Sequence, residues 1–434
     1  MFVERVDHFD GFRCLRTAWD LLYQRDPEAQ FFLSWTWLAS VLESHPGQWL
    51  VLVVRDDDGR CVGVLPLRRK TVWSRRQERL RHELEFAGRL FWADYGGILG
   101  APEADQAVLE ALAAHLKQLH WSHVYLKGFR ISDRRYEIFM RAFEDDRLVV
   151  EPQTALINAG QTDNLVCPYV DLPETFEAYL DGQLSSNTRQ KVRRFMRRVE
   201  SSVEYQITLS TAETAARDLD ILERLWHSMW GVVKGSKTDR LASPYRTIVA
   251  QGVRDGTVHM PILWHGGAAV GVLASFVDWD KSRVLFFVTG RDEACEALPV
   301  GLVLHAWSIR WAIAHGLKTY DFLRGDEPYK RSLGATTATH LRYPLVRTRS
   351  GTNLNDDLDP LSIAEALQMA ADFAEAGRGE HAMTVFYQAL STLAGPRTAE
   401  RLLDALSDAD EMHEVVTDQV DESVGPLKTH EGSS

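Results

Sequence analysis

The densest chemistry in the chain follows the apolar run around Tyr320. From Asp321 to Arg331, seven ionisable side chains (Asp321, Arg324, Asp326, Glu327, Tyr329, Lys330 and Arg331) fall within eleven positions. Charges this close to a core are costly unless they pair or bind something. The segment therefore reads as a site-forming loop or a salt-bridged structural one. A second feature is Arg189–Arg198, with six basic residues in ten positions and no acid. On a helix, Arg189, Arg193 and Arg197 form one stripe and Arg194 and Arg198 another, while Val192, Phe195, Met196 and Val199 turn inward. Such a face is either solvated or meets phosphate. One short helix lacks the long basic track of a duplex binder, so a phosphorylated small molecule suits it better than nucleic acid. A third feature is the turn Leu298-Pro299-Val300-Gly301-Leu302, which opens a helix and can offer free N–H groups to a phosphate or serve as plain structure.

The familiar alternatives are missing. There is no GxSxG, HExxH, GxxxxGK[ST] or strand-to-helix GxGxxG, and His120 and His123 straddle a helix end without ligand spacing. Four scattered cysteines with no CxxC give neither a disulfide framework nor a zinc site, so no metal is expected. No apolar run approaches a membrane span, and Glu4, Arg5 and Asp7 follow Met1 at once, which makes a reducing cytoplasm the default expectation.

These features need elements to position them, and 434 residues suggest two or three domains. The Trp-rich stretch 31–42 reads as core or domain packing. Trp49–Arg55 and Cys61–Leu67 flank Asp57-Asp58-Gly59, a hairpin signal. Residues 102–119 read as a helix and His123–Lys127 as a strand. The second half repeats the order: Pro261–Leu273 answers the hairpin, 301–315 answers the helix, and Tyr320-Asp321-Phe322 answers the strand. This rhyme suggests a duplicated α/β module. Further expectations are a helix over 213–230, a polar loop over 234–240, and a strand over 338–346. After 350 the chain turns Ala/Leu-rich and helical. From Asp404 onward nine acids face one Lys, so most of the net charge of −12 belongs to the tail.

Gly301-Leu302, Ala306, Ile313, Gly316 and Tyr320-Asp321-Phe322-Leu323-Arg324-Gly325-Asp326-Glu327-Pro328-Tyr329-Lys330 resemble the GNAT-superfamily acyltransferase domain of cellulose- or exopolysaccharide-biosynthesis proteins, relatives of the Fem peptidyltransferases. Ser185–Arg194 is similar to the segment that opens the second half of that family, and the likeness spans roughly 15–345. It implies an α/β (α+β) fold of tandem GNAT-like modules with mixed, mostly antiparallel sheets, over 1–160 and 161–350. A helical extension (351–408) and an acidic tail (409–434) lie outside it. It implies acyl-CoA, such as acetyl-CoA, as co-substrate and an amine, hydroxyl or saccharide as acceptor. The donor would be held by Leu298, Val300, Gly301 and Leu302, with Arg189 and Arg193. Transfer by direct attack needs a base and an acid. Asp321 is the first choice of base, with Asp326 as the alternative, and Tyr329 is the acid. Arg324 and Lys330 are candidates for an anionic part of a substrate, and Asp94 and Tyr95 for the facing module's share of the site. Asp321 and Arg324 could equally form a structural pair. The rival readings are a Fem-like aminoacyl-tRNA-dependent ligase, which would use tRNA, and a non-catalytic scaffold.

Overall fold

The computed structural model describes residues 1–234 and 237–403, and the acidic tail 409–434 lies outside them. Among the described residues two eight-stranded sheets stand out. The first runs Phe2–Val6, Trp49–Arg55, Cys61–Ser74, Arg79–Phe86, His123–Tyr125, Pro344–Thr348 and Leu148–Pro152 in spatial order. The second runs Tyr205–Leu209, Pro261–His265, Ala268–Asp278, Arg283–Arg291, Thr319–Asp321, Val166–Asp171 and Thr337–His340. A short strand joins each path from the side, Leu99–Gly100 in the first and Val258–His259 in the second. The expected hairpin at 49–67 and its counterpart at 261–273 are both antiparallel pairs. The helices Asp105–Leu116 and Val300–Ala314 follow them in matching places.

In the second sheet Thr319–Asp321 pairs in parallel with Arg283–Leu285, and the helix Val300–Ala314 supplies the crossover that a parallel pair requires. This central helix is apolar nearly all round because it is buried, with Val303, Leu304, Ala306, Ile309 and Ala312 in the core of the sheet. Its first turn seats directly on a strand. A Cβ at Gly271 would lie 2.1 Å from a Val300 methyl, so only glycine lets the helix start there.

Two expectations need correction. The apolar run 338–346 is not one strand: Thr337–His340 belongs to the second sheet and Pro344–Thr348 to the first. Pro344 has no N–H and stands at the first position of its strand, where a proline is tolerated. Between them Arg342 exchanges backbone hydrogen bonds with Phe129, which carries the chain across. The helices Ala215–Lys234 and Lys237–Arg254 also cover most of the stretch expected as a polar loop, of which residues 235–236 lie outside the described part.

The chain divides into two compact units. One holds 1–69, 84–117 and 123–349, and the other holds 70–83, 118–122 and 350 onward. Within the larger unit the two halves are tied by buried contacts. Phe31 stacks on Phe276 at 4.8 Å and Trp37 meets the same ring edge-on at 5.1 Å, so the aromatic entry segment is indeed packing between halves. Tyr23 donates to Asp278 at 2.5 Å. In the smaller unit Leu80 packs with Ile363, Ala366, Phe373, Val385 and Ala389. The Gln388 amide caps the strand there, accepting from Leu80 N–H (2.7 Å) and donating to Leu80 C=O (3.2 Å). Gln388→Ala strands both buried backbone groups and is expected to lower stability by about 1–3 kcal/mol, read as a drop in the urea midpoint at unchanged slope.

Candidate functional site

The short strand Thr319–Asp321 decides which side chain faces which way, since neighbours on a strand alternate. Tyr320 turns toward the central helix, where its hydroxyl meets His305 Nδ1 at 3.0 Å. Asp321 therefore turns to the other face, toward residues of the first half. There the Tyr95 hydroxyl donates to both carboxylate oxygens, at 2.8 and 2.9 Å, and Leu323 N–H donates to Oδ1 at 2.8 Å. Leu323 accepts a left-handed backbone (φ 54°) to make that turn, a conformation a leucine rarely adopts and which marks a constrained site.

Asp321 is 2% exposed. Burial raises its pKa, and the Leu323 N–H, the Tyr95 hydroxyl and the charges of Arg130 and Arg283 pull only part of the way back. Burial and then the neighbouring Asp321 charge push the Tyr95 phenol well above its ordinary value, so it remains a donor. Cys167 lies in the same cluster, fully buried, with its thiol held well above the usual range by burial and by Asp321. Its thiol is held in the neutral form there.

Arg324 does not pair with Asp321. Its Nε and Nη2 both reach Asp94 Oδ1, at 2.5 Å, across the junction between the halves. Asp94, Tyr95, Asp321 and Arg324 are thus brought together from positions more than 220 residues apart.

The other residues of the loop have different places. Lys330 is buried and its ammonium is fully engaged, on Arg324 C=O (2.7 Å), Gly325 C=O (2.8 Å) and Glu327 (2.9 Å). In this structure it staples the loop. Asp326 accepts from Asp163 N–H at 2.9 Å, pinning a two-stranded hairpin at 156–163, and among the described residues shares no hydrogen bond with the Asp321 cluster. Gly325, at φ 100°, donates to Val166 C=O and fixes the start of that turn. Tyr329 opens the short helix Pro328–Ser332 and is 43% exposed, with its ring near His305 (6.0 Å) and Phe322 (6.4 Å). Burial around its oxygen, followed by Glu327, raises its pKa. It stands on the helix side of the strand, opposite Asp321.

His305 is the residue sequence reasoning passed over. Burial, with Lys330 second, lowers its pKa to about 3, so it is neutral and orients Tyr320 and the ring of Tyr329. Its only sequence signal was a polar residue inside an apolar helical run.

The parallel pairing stops at Leu285, yet the longer strand continues to Arg291. The neighbouring strand ends at Asp321, so from Phe286 onward the longer strand has no parallel partner, and the turn 292–299 leads from its end into the central helix. Leu298 and Val300 are core residues, whereas Gly301 and Leu302 are partly exposed. The helix has no side-chain cap, and the N–H groups of Gly301 and Leu302 meet no acceptor among the described residues. A Cβ on Gly301 would touch nothing within 4 Å, so the space before this helix end is open. Free N–H groups and open space suit a phosphate.

The basic helix, Ser186–Ser201, lies beside this turn, with Arg198 donating to Ala297 C=O at 3.0 Å. Arg189 and Arg193 point elsewhere. Arg193 pairs with Glu177 (2.6 Å) and Asp181 (3.1 Å), and Arg189 with Asp181 (3.3 Å). The acids absent from the basic segment come from the preceding helix, Phe176–Gln183. The two arginines expected on a cofactor stand here in an exposed ion-pair network.

Residues 186–331 match the acetyltransferase (GNAT) domain model. Among solved structures the chain is similar to FemX, at 10% identity over 80% of this chain and 97% of that one, with a TM-score of 0.55. A conserved protein of unknown function from Bacteroides thetaiotaomicron VPI-5482 aligns at 12% identity over 80% and 100%, TM-score 0.46. A tandem GNAT protein from the clavulanic acid biosynthesis pathway aligns at 11% identity over 80% and 98%, TM-score 0.41. No curated protein matches the sequence. The FemX likeness is one of fold, and it spans both halves of the larger unit. Among the described residues no helix is long and apolar enough to cross a membrane, and no group of three or more His, Cys, Asp or Glu is placed to hold a metal ion.

Proposed function

We propose that the protein is an acyltransferase that moves an acyl group from a CoA thioester to an amine or hydroxyl acceptor by direct attack. The observation that carries this reading is the end of the parallel pairing at Leu285, with the open helix N-terminus beyond it and Asp321 and Tyr329 on its two faces. A bound thioester supplies an activated acyl carbon and a good leaving group. The Gly301 and Leu302 N–H groups would hold its diphosphate. The backbone N–H groups of the freed strand edge from Phe286 onward would polarise the acyl carbonyl.

On the first-half face, Asp321 takes the acceptor proton as the acceptor nitrogen or oxygen bonds to the acyl carbon and the carbon–sulfur bond breaks. Tyr95 holds that carboxylate in place and stays protonated throughout. On the helix face, Tyr329, half-exposed and kept protonated by its raised pKa, gives its proton to the departing sulfur as the carbon–sulfur bond breaks. Arg324 and Asp94 keep the loop and the first half in register. Cytoplasmic location belongs to the same proposal, as does a role in polysaccharide assembly, which rests on the sequence resemblance.

A thiol-release assay with acetyl-CoA and a panel of amines and sugar hydroxyls tests this. Acceptor-dependent release, reduced about 10²-fold or more in Tyr329→Phe, is the expected result. Release that Tyr329→Phe leaves unchanged would remove the acid from the scheme.

A further inference from the structure

The exposed side of the basic helix has a use that its ion pairs leave open. Gln190, Arg193, Arg194, Arg197, Arg198 and Ser201 line an open groove of about 500 Å³. Arg193 is paired to acids and Arg198 to the Ala297 carbonyl, as described. Arg194 and Arg197 make no ion pair among the described residues, although Arg194 lies over the neighbouring Phe195 ring at 4.4 Å. Two uncompensated guanidinium groups one turn apart repel each other, and an anion between them removes that cost. Arginine is also the side chain best shaped for bidentate phosphate contact.

We infer that this groove takes the phosphorylated nucleoside end of the donor, with Arg194 and Arg197 on the ribose phosphate. The inference rests on the CoA reading above and deepens it. Three observations favour a compact nucleotide. The groove has the volume of a small-molecule site. It is built on a single sixteen-residue helix, too short a track for a duplex. The Arg198 contact to Ala297 places its rim on the turn that leads into Gly301 and Leu302. A ligand with its diphosphate at that helix end has its nucleoside directed along the arginine face.

The test compares CoA with dephospho-CoA, which lacks only the ribose phosphate, by calorimetry on the wild type and on R194Q/R197Q. Both residues are exposed, so the fold is expected to survive, and far-ultraviolet circular dichroism confirms it. The wild type should bind CoA about 10- to 100-fold more tightly than dephospho-CoA, and the double variant should bind the two alike. Lys191→Gln, on the same helix but outside the groove, should keep the preference. Equal binding of the two ligands by the wild type overturns the groove assignment while leaving the donor reading intact. Failure of the wild type to bind either ligand overturns the donor reading itself. Tight binding of tRNA that falls steeply with salt and is lost in the double variant overturns the nucleotide assignment in favour of RNA.

Discussion

Asp321→Asn is expected to lower kcat by about 10²-fold or more while donor affinity stays near that of the wild type. The amide is isosteric and can still accept from Tyr95, so the loop keeps its shape and only the proton acceptor is lost. Tyr95→Phe separates the two roles of the cluster: it leaves the carboxylate in place with one anchor fewer. The smaller fall in kcat should come with a shift in the pH profile, because the hydroxyl stabilises the charged carboxylate. The direction of pH dependence follows from the raised pKa of Asp321. Activity rises with pH through that raised value, since the base must be ionised. Stability moves the other way. Between the unfolded and folded pKa the native state binds the extra proton, so this residue's contribution to stability is lost as pH rises through the folded value. Asp321→Asn should flatten both trends. An unchanged kcat, or a variant that simply unfolds with no catalytic defect at low temperature, would place the base elsewhere.

The second large effect is structural. Arg135 is nearly fully buried, with Asp26 at 3.0 Å and Asp105 at 2.7 Å, and Asp26 also accepts from Gly100 N–H at 2.7 Å. Asp26 sits in the segment whose backbone carbonyls at Gln24 and Asp26 receive Lys281 from the second half. Arg135→Ala leaves buried carboxylates without their cation and is expected to cost about 3–5 kcal/mol. Arg135→Ala with Asp26→Asn should recover part of that loss, because the uncompensated charge goes with the partner. Equal destabilisation in the single and double variants would show that the cost lies in packing.

The two hairpins and the two helices that follow them were legible in the sequence because apolar strand runs, glycine-bearing turns and helical periodicity are local signals. Asp94 and Tyr95 were visible only as a candidate pair in the facing half, and nothing local said that Tyr95 would reach Asp321. The crossing of the chain between sheets at 337–348 was hidden, because strand runs do not name their partners and Pro344 alone hinted at a break. Arg189 and Arg193 looked free because their acids, Glu177 and Asp181, lie on another helix. Lys330 looked like a ligand contact because two of its three partners are backbone carbonyls, which leave no trace in a sequence. Recruitment of Leu80 by Gln388 was equally silent, since an amide that bonds a distant backbone leaves no local pattern.

The account stands on a CoA thioester binding where the parallel pairing ends. Calorimetric titration of the full chain with acetyl-CoA and with CoA measures this directly. The account predicts saturable one-to-one binding of both below millimolar concentration. No heat of binding at millimolar acetyl-CoA or CoA would contradict it, and would return the chain to an aminoacyl-tRNA donor or to a binding scaffold.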